Sequence, residues 1–255
     1  MRHRILFSSA AFIFLFFAPA HANEGLYFKS GRTQNTLVEL YTSDMNSGCN
    51  AALQWMSSLQ SKDPQALWKY FVPIAMHVGY WDVPGGKDTF AQKAFDDFLL
   101  RYKKLWSMSR VYAPAMVVNG TEWGGWSRDQ DIPKALPNDV GVLSADGSKR
   151  ENHFLVEFVP SRKIAADGLT VHSALLGFGL ASKPSEGENS GQILAHDFVA
   201  LSYKEQSFRL SYGVLTSDFE ISMKKVARAK KYAVVFWVTP GEDVRPIQAT
   251  GGYLP

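Results

Sequence analysis

Leu37-Val38-Glu39-Leu40-Tyr41, the run from Thr42 to Gly48, and Cys49 with the helical positions that follow it decide how this chain is read. The first five residues are short, apolar and β-prone, the pattern of a buried strand. The next seven are small or polar and read as a loop. After Cys49, the apolar residues Ala52, Trp55, Met56 and Leu59 fall at i, i+3, i+4 and i+7, the spacing of one helix face. The segment therefore reads strand, loop, cysteine, helix. A cysteine at a helix start meets the positive end of the helix dipole and free backbone N–H groups, which favour thiolate. A buried and inert cysteine fits the same pattern.

Working outward, residues 71–77 read as a second strand. Residues 90–106 read as a helix, because Ala91, Phe95, Phe98, Tyr102 and Leu105 form one apolar stripe opposite lysines and aspartates. Met116-Val117-Val118 reads as a third strand, and Asn119-Gly120 as a hairpin turn. Trp123 and Trp126 follow, and residues 129–136 are expected to form a short terminal helix. Near Leu136-Pro137-Asn138 the texture changes. Strand-like runs then cover residues 154–159, 169–178, 198–203, 208–214 and 232–238, with Phe154, Val156 and Phe158 alternating at period two. That organisation predicts two domains over residues 36–140 and 141–255, the second a β-sandwich, after an irregular leader at 23–35.

The chain begins like an export signal. Arg2 and Arg4 precede a nearly continuous apolar run over residues 5–17, and Ala20-His21-Ala22 supplies the small-x-small cleavage pattern. The run is shorter than the roughly 20 residues a membrane span needs. Cleavage after Ala22 and a periplasmic or secreted location are expected, with no integral membrane span in the mature chain. Of 27 basic and 24 acidic residues, the signal removes two arginines and no acid, so the formal charge falls from +3 to +1. That balance argues against nucleic acid as a partner. With 46% apolar residues the chain has material for a real core. A single cysteine means no intramolecular disulfide.

Four blocks resemble, in order, those of a family of secreted bacterial proteins of no assigned function, domain of unknown function 1223. They are Val38 to Ser43 with Cys49 and Trp55; His77 to Asp82 with Lys87-Asp88 and Phe90-Ala91; Val111 to Gly120; and Gly187 to Gly191 with His196 to Val199. The resemblance implies a thioredoxin-like α/β domain ahead of the β-sandwich domain. It also implies a Cys-x-x-Cys pair in the loop. Counted back from Trp55, Cys49 matches the second cysteine and Asn46 stands at the first; Asn50 replaces the proline usual after the pair. Exchange through an intramolecular disulfide needs two sulfurs. Counting therefore excludes a monomeric dithiol cycle and leaves enzymatic status open. The resemblance further implies a cis peptide bond before Pro114.

Three functional readings follow. The first is an envelope protein that binds a peptide or protein thiol at Asn46, Ala113 and Pro114, with Trp81, Trp123 and Trp126 as an aromatic patch. The second gives Cys49 a catalytic role through mixed disulfides. The third is copper handling by Met45, Cys49 and His77, residue types that suit soft copper(I). No cofactor is expected. His77 also reads as a satisfied structural histidine. His196 and Asp197 would point to opposite faces of a strand and make a poor catalytic pair.

Overall fold

The computed structural model describes residues 26–148, 152–162, 164–165, 167–221 and 229–255. The export signal expected over residues 1–22 lies outside them. The described elements run β1 (Tyr27–Lys29), β2 (Thr36–Thr42), α1 (Cys49–Lys62), β3 (Phe71–His77), α2 (Lys93–Leu105), β4 (Ala115–Val118), β5 (Thr121–Glu122) and β6 (Gly141–Asp146). They continue through β7 (His153–Pro160), β8 (Leu169–Phe178), β9 (Leu180–Ser182), β10 (Leu194–His196), β11 (Val199–Ser207), β12 (Arg209–Ser211), β13 (Val214–Glu220), β14 (Lys231–Pro240) and β15 (Gln248–Tyr253). No helix among the described residues is long and apolar enough to cross a membrane.

One eight-stranded sheet, in the order β15-β14-β8-β11-β3-β2-β4-β5, dominates the molecule. β3 pairs in parallel with both β2 and β11, and the remaining ladders are antiparallel. β2 and β3 are buried at every position, as strands covered on both faces must be. α2 covers one face of the sheet: Tyr102 meets Tyr41 edge-on, and Phe98 meets His172. Against the opposite face lies a five-stranded antiparallel sheet, ordered β1-β6-β7-β13-β12. Phe154 and Phe219 of that sheet pack on Phe236 of β14. The facing strands share a buried apolar layer that includes Leu143, Val156, Phe158, Val171, Val234 and Val238.

The expectation of a thioredoxin-like α/β domain followed by a separate β-sandwich is overturned. The structure is mostly β, with two α-helices among the described residues. Strands from residues 36–118 do not close a sheet of their own, because β11 from the second half pairs with β3 at Val199 and Ala75. Nor does the second half form a sandwich by itself, since β8, β11, β14 and β15 belong to the shared sheet. Side chains reinforce the join: the Asn35 backbone N–H donates to Gln248 Oε1 at 2.9 Å, and Asn35 Nδ2 to the Ala249 carbonyl at 3.0 Å.

Local departures have local causes. Residues 129–136 are not helical; a short 3-10 turn at Gly125–Arg128 ends at Asp129, whose φ of 50° is left-handed, and Pro133 then lacks an N–H to give. Within residues 208–214, Tyr212 and Gly213 at φ 49° and 81° close a two-residue hairpin between β12 and β13. Asn119 and Gly120, at φ 47° and 81°, close β4 onto β5 as the sequence predicts. In the stretch read as irregular leader, Tyr27–Lys29 pairs with β6.

Candidate functional site

The loop between β2 and α1 is folded tightly inward. Thr42, Ser43, Asp44, Met45 and Asn46 are buried, while Ser47 and Gly48 reach the surface. Backbone N–H groups of Asn46, Cys49 and Asn50 donate to the carbonyls of Ser43, Asn46 and Ser47, winding the loop directly into α1. The Asn46 amide ties the loop to the turn before β4. Its Nδ2 donates to the Ala113 carbonyl at 2.9 Å, and its Oδ1 accepts from the Gly48 N–H at 2.9 Å. The Ala113–Pro114 peptide bond is cis.

Cys49 is completely buried. Burial pushes its thiol pKa up, and the nearby Asp44 and Asp88 carboxylates push the same way, against a hydrogen bond from the Ser43 N–H to Sγ at 3.4 Å. Magnitudes explain why the helix start does not prevail. A helix terminus is worth about 0.3–1 kcal/mol to an exposed anion. Taking a charge out of water costs several times that.

Behind the loop sits a buried polar knot. His77 ends β3, and its Nδ1 lies 2.8 Å from Asp88 Oδ2. The Asp88 carboxylate also accepts the backbone N–H of Asp44 at 2.6 Å and of Phe90 at 2.8 Å. Burial alone would raise the Asp88 pKa; the His77 charge and these donors outweigh it and hold the carboxyl below its usual range. For His77 the balance runs the other way, with Asp88 overcoming burial to favour the protonated ring. His196 comes in from the end of β10. Its Nε2 lies 2.9 Å from Ser182 Oγ and 3.5 Å from Asp44 Oδ1. Burial and then the His77 charge push its pKa down to about 3, so this ring is neutral. Phe90 wedges against both imidazoles, 5.2 Å from each ring centre.

The residue loop 184–192, between β9 and β10, clasps the β2–α1 loop. Asn189 Nδ2 donates to the Asp44 carbonyl at 2.9 Å, and the Asn50 and Asn189 side-chain amides pair with each other. Glu188 Oε2 accepts from the Ser47 backbone N–H at 2.9 Å and from Ser47 Oγ at 2.7 Å. The four sequence blocks containing Cys49, His77, Pro114 and His196 thus meet at one end of the sheet. A family model for a protein of unknown function, DUF1223, matches residues 37–239.

The chain belongs to the DUF1223 family. No curated protein matches it. Two solved structures are similar in fold. Protein AGR_C_4864 from Agrobacterium tumefaciens is 16% identical at a TM-score of 0.57, over 88% of this chain and 96% of its own. HBP35 of Porphyromonas gingivalis is 14% identical at the same TM-score of 0.57, over 88% of this chain and 76% of its own. At such identities the likeness is one of fold.

In this DUF1223 chain, Asn46, Cys49, Ala113 and Pro114 do come together. Trp123 and Trp126 are half-buried against the main core, with Trp123 5.4 Å from Trp55, while Trp81 packs on the same core beside Tyr80. All three stay part-exposed at the margin of that core. Of the copper set Met45, Cys49 and His77, His77 joins Asp44 and His196 in a convergence of nitrogen and carboxylate ligand atoms that does not include Cys49, and Met45 Sδ lies against Gly187. Sequence reasoning passed over Asp44 as a loop residue and set His196 aside with Asp197. Asp197 is indeed turned away, accepting the Gly179 N–H. The usable signal was that Asp88 and His196 each stand in a block that resembles the family.

Proposed function

We propose that the protein is an exported binding protein that works without thiol–disulfide exchange and takes up an extended peptide segment beside Pro114. The observation that carries this reading is the state of the only thiol: Cys49 is wholly buried and its pKa is raised, so it offers no thiolate to a partner. The position that the resemblance gives to the first cysteine of the pair is filled by an Asn46 amide that spends both its groups on the scaffold. What remains accessible is a shallow face of Ser47 and Gly48, half-buried Tyr112 and Pro114, and Tyr80, 38% exposed. Aromatic rings beside exposed backbone suit an extended peptide, whose main chain supplies hydrogen bonds and whose side chains meet the rings. The apolar run and small-residue pattern of residues 1–22 support export.

The test pairs two measurements on the signal-cleaved protein. Cys49 should react with Ellman's reagent only as the chain unfolds. A cysteine-free random peptide library panned on the native protein should enrich sequences whose binding is lost in a Tyr80→Ala/Tyr112→Ala variant of unchanged circular dichroism. Rapid modification of native Cys49, or failure to enrich any peptide, overturns the reading.

A further inference from the structure

We infer that Asp44, His77 and His196 form a site for one divalent transition-metal ion of the zinc class, buried beneath the β2–α1 loop. Each residue offers one ligand atom, and the three atoms lie within 4.8 Å of one another. All three side chains are at most 1% exposed. Among the described residues, neither carboxylate oxygen of Asp44 has a hydrogen-bond donor in bonding geometry, and His77 Nε2 and His196 Nδ1 are likewise without partners. Four orphaned polar atoms in one buried knot are costly, and buried polar groups in folded proteins are otherwise paired. A cation held by Asp44 and His77 Nε2 turns part of that cost into coordination, and His196 would join through Nε2, giving up its contact with Ser182 Oγ.

The donor set selects the ion class. Two imidazoles and a carboxylate suit zinc and its neighbours, whereas copper(I) favours thiolate and thioether sulfur. Cys49 Sγ is not among the converging atoms, and Met45 Sδ lies against Gly187. Asp44 Oδ1 and His196 Nε2, 3.5 Å apart, are already at the spacing two ligands of one small ion adopt; tetrahedral bonds of about 2.0–2.2 Å imply it. His77 Nδ1, 3.8 Å from the same Asp44 oxygen, is taken by Asp88, so the unpartnered Nε2 is the ring nitrogen left for the ion. Its ring is braced by Asp88, the carboxylate–histidine pairing that orients metal ligands elsewhere. Asp88 is a positioning residue here, fixed in turn by the Asp44 and Phe90 N–H groups.

The placement gives the ion a task. Asp44 follows β2, His77 ends β3, and His196 ends β10, so one ion would fasten the loop before α1 to a hairpin more than 150 residues later. The Asn189 and Glu188 clasp closes over the same junction. In an exported chain with no disulfide, a metal is the remaining covalent-strength staple available to it.

The full mature protein, purified without chelator, should carry one zinc per chain by elemental analysis. After chelator dialysis, added Zn²⁺ should raise the melting temperature with saturation at one equivalent. Co²⁺ should give a visible spectrum of imidazole and carboxylate ligation with no sulfur-to-cobalt band. Asp44→Asn and His196→Gln, chosen to keep size, should each abolish stoichiometric uptake, and Asp88→Asn should weaken it roughly 10–100-fold. No uptake of Zn²⁺ or Co²⁺ by the wild type overturns the inference. So does one-equivalent binding retained in the Asp44→Asn/His196→Gln double variant, or a sulfur-to-cobalt band. Should the variants misfold, the stoichiometry and the cobalt spectrum of the wild type still decide.

Discussion

Tyr102 Oη lies 2.6 Å from Oε2 of Glu39, and both side chains are fully inside the protein. The same hydroxyl stands 3.1 Å from the Val244 carbonyl oxygen. A phenol has one proton, so it cannot donate to both. If Glu39 is protonated, its acid O–H donates to Tyr102 and Tyr102 donates to Val244, satisfying every group. Burial agrees, pushing the Glu39 pKa up to about 8 although the hydrogen bonds that Tyr102 and Tyr41 could give its carboxylate pull the other way. The folded state therefore binds a proton that the unfolded chain releases above its ordinary value of 4.5. Stability from this group is full below that value and is lost as pH rises toward 8, at up to about 1.4 kcal/mol per pH unit. Urea denaturation across this window should show the decline in wild type, and the difference from Glu39→Gln should carry it. A difference that stays flat with pH would mean Glu39 is ionised in the fold.

Asn46 holds two backbone groups that no other described side chain serves in this loop. Asn46→Ala should cost about 1–3 kcal/mol by leaving the Ala113 carbonyl and the Gly48 N–H to find other partners. Equilibrium urea unfolding reads this directly. A cost under a few tenths would show that water replaces the amide without loss.

Gly187 sits at φ 82°, and a Cβ there would lie 3.1 Å from the Met45 Cα and carbonyl oxygen. Gly191, at φ 75°, has no atom within 4 Å of the same position. Both Ala variants carry the left-handed backbone penalty of about 1–2 kcal/mol. Only Gly187→Ala adds a clash with the clasped loop, so it should be the more damaging of the two in thermal melts. Equal losses would mean the clasp yields freely.

Phe236 joins the two sheets through Phe154 and Phe219. Phe236→Ala should destabilise by about 3–5 kcal/mol. Because the layer it fills is shared, calorimetry should show one transition in wild type and one, at lower temperature, in the variant. Two separable transitions would show that the sheets melt independently.

Much of the local structure was legible. Residues 71–77 and 169–178 are strands at the predicted limits, short and mostly apolar stretches with no helical spacing. Helix α2 starts at Lys93, since Phe90 is held outside it by its N–H bond to Asp88. Sheet membership was not legible. Nothing in the pattern of Val199 and its neighbours says that they pair with Ala75, more than a hundred residues earlier. The site shows the same division. The Cys49 loop announces itself through residue type, but whether its thiol is favoured or suppressed depends on burial, a tertiary property. Asp44 and His196 are single residues in unremarkable contexts whose meaning lies only in their meeting.

The pairing of β11 with β3 also sets an order of events. The Ala75 N–H donates to the Phe198 carbonyl at 2.9 Å, so the inner edge of β3 is completed by residues near the far end of the chain. A growing chain that has delivered β2, β3 and β4 still presents that edge of a mostly apolar strand until residue 199 arrives. Unpaired edges of this kind recruit other strands, and closure over so long a loop is slow. The chain therefore passes through a stage of synthesis at which it needs to be shielded from its own copies, and that stage ends only when most of its length has emerged.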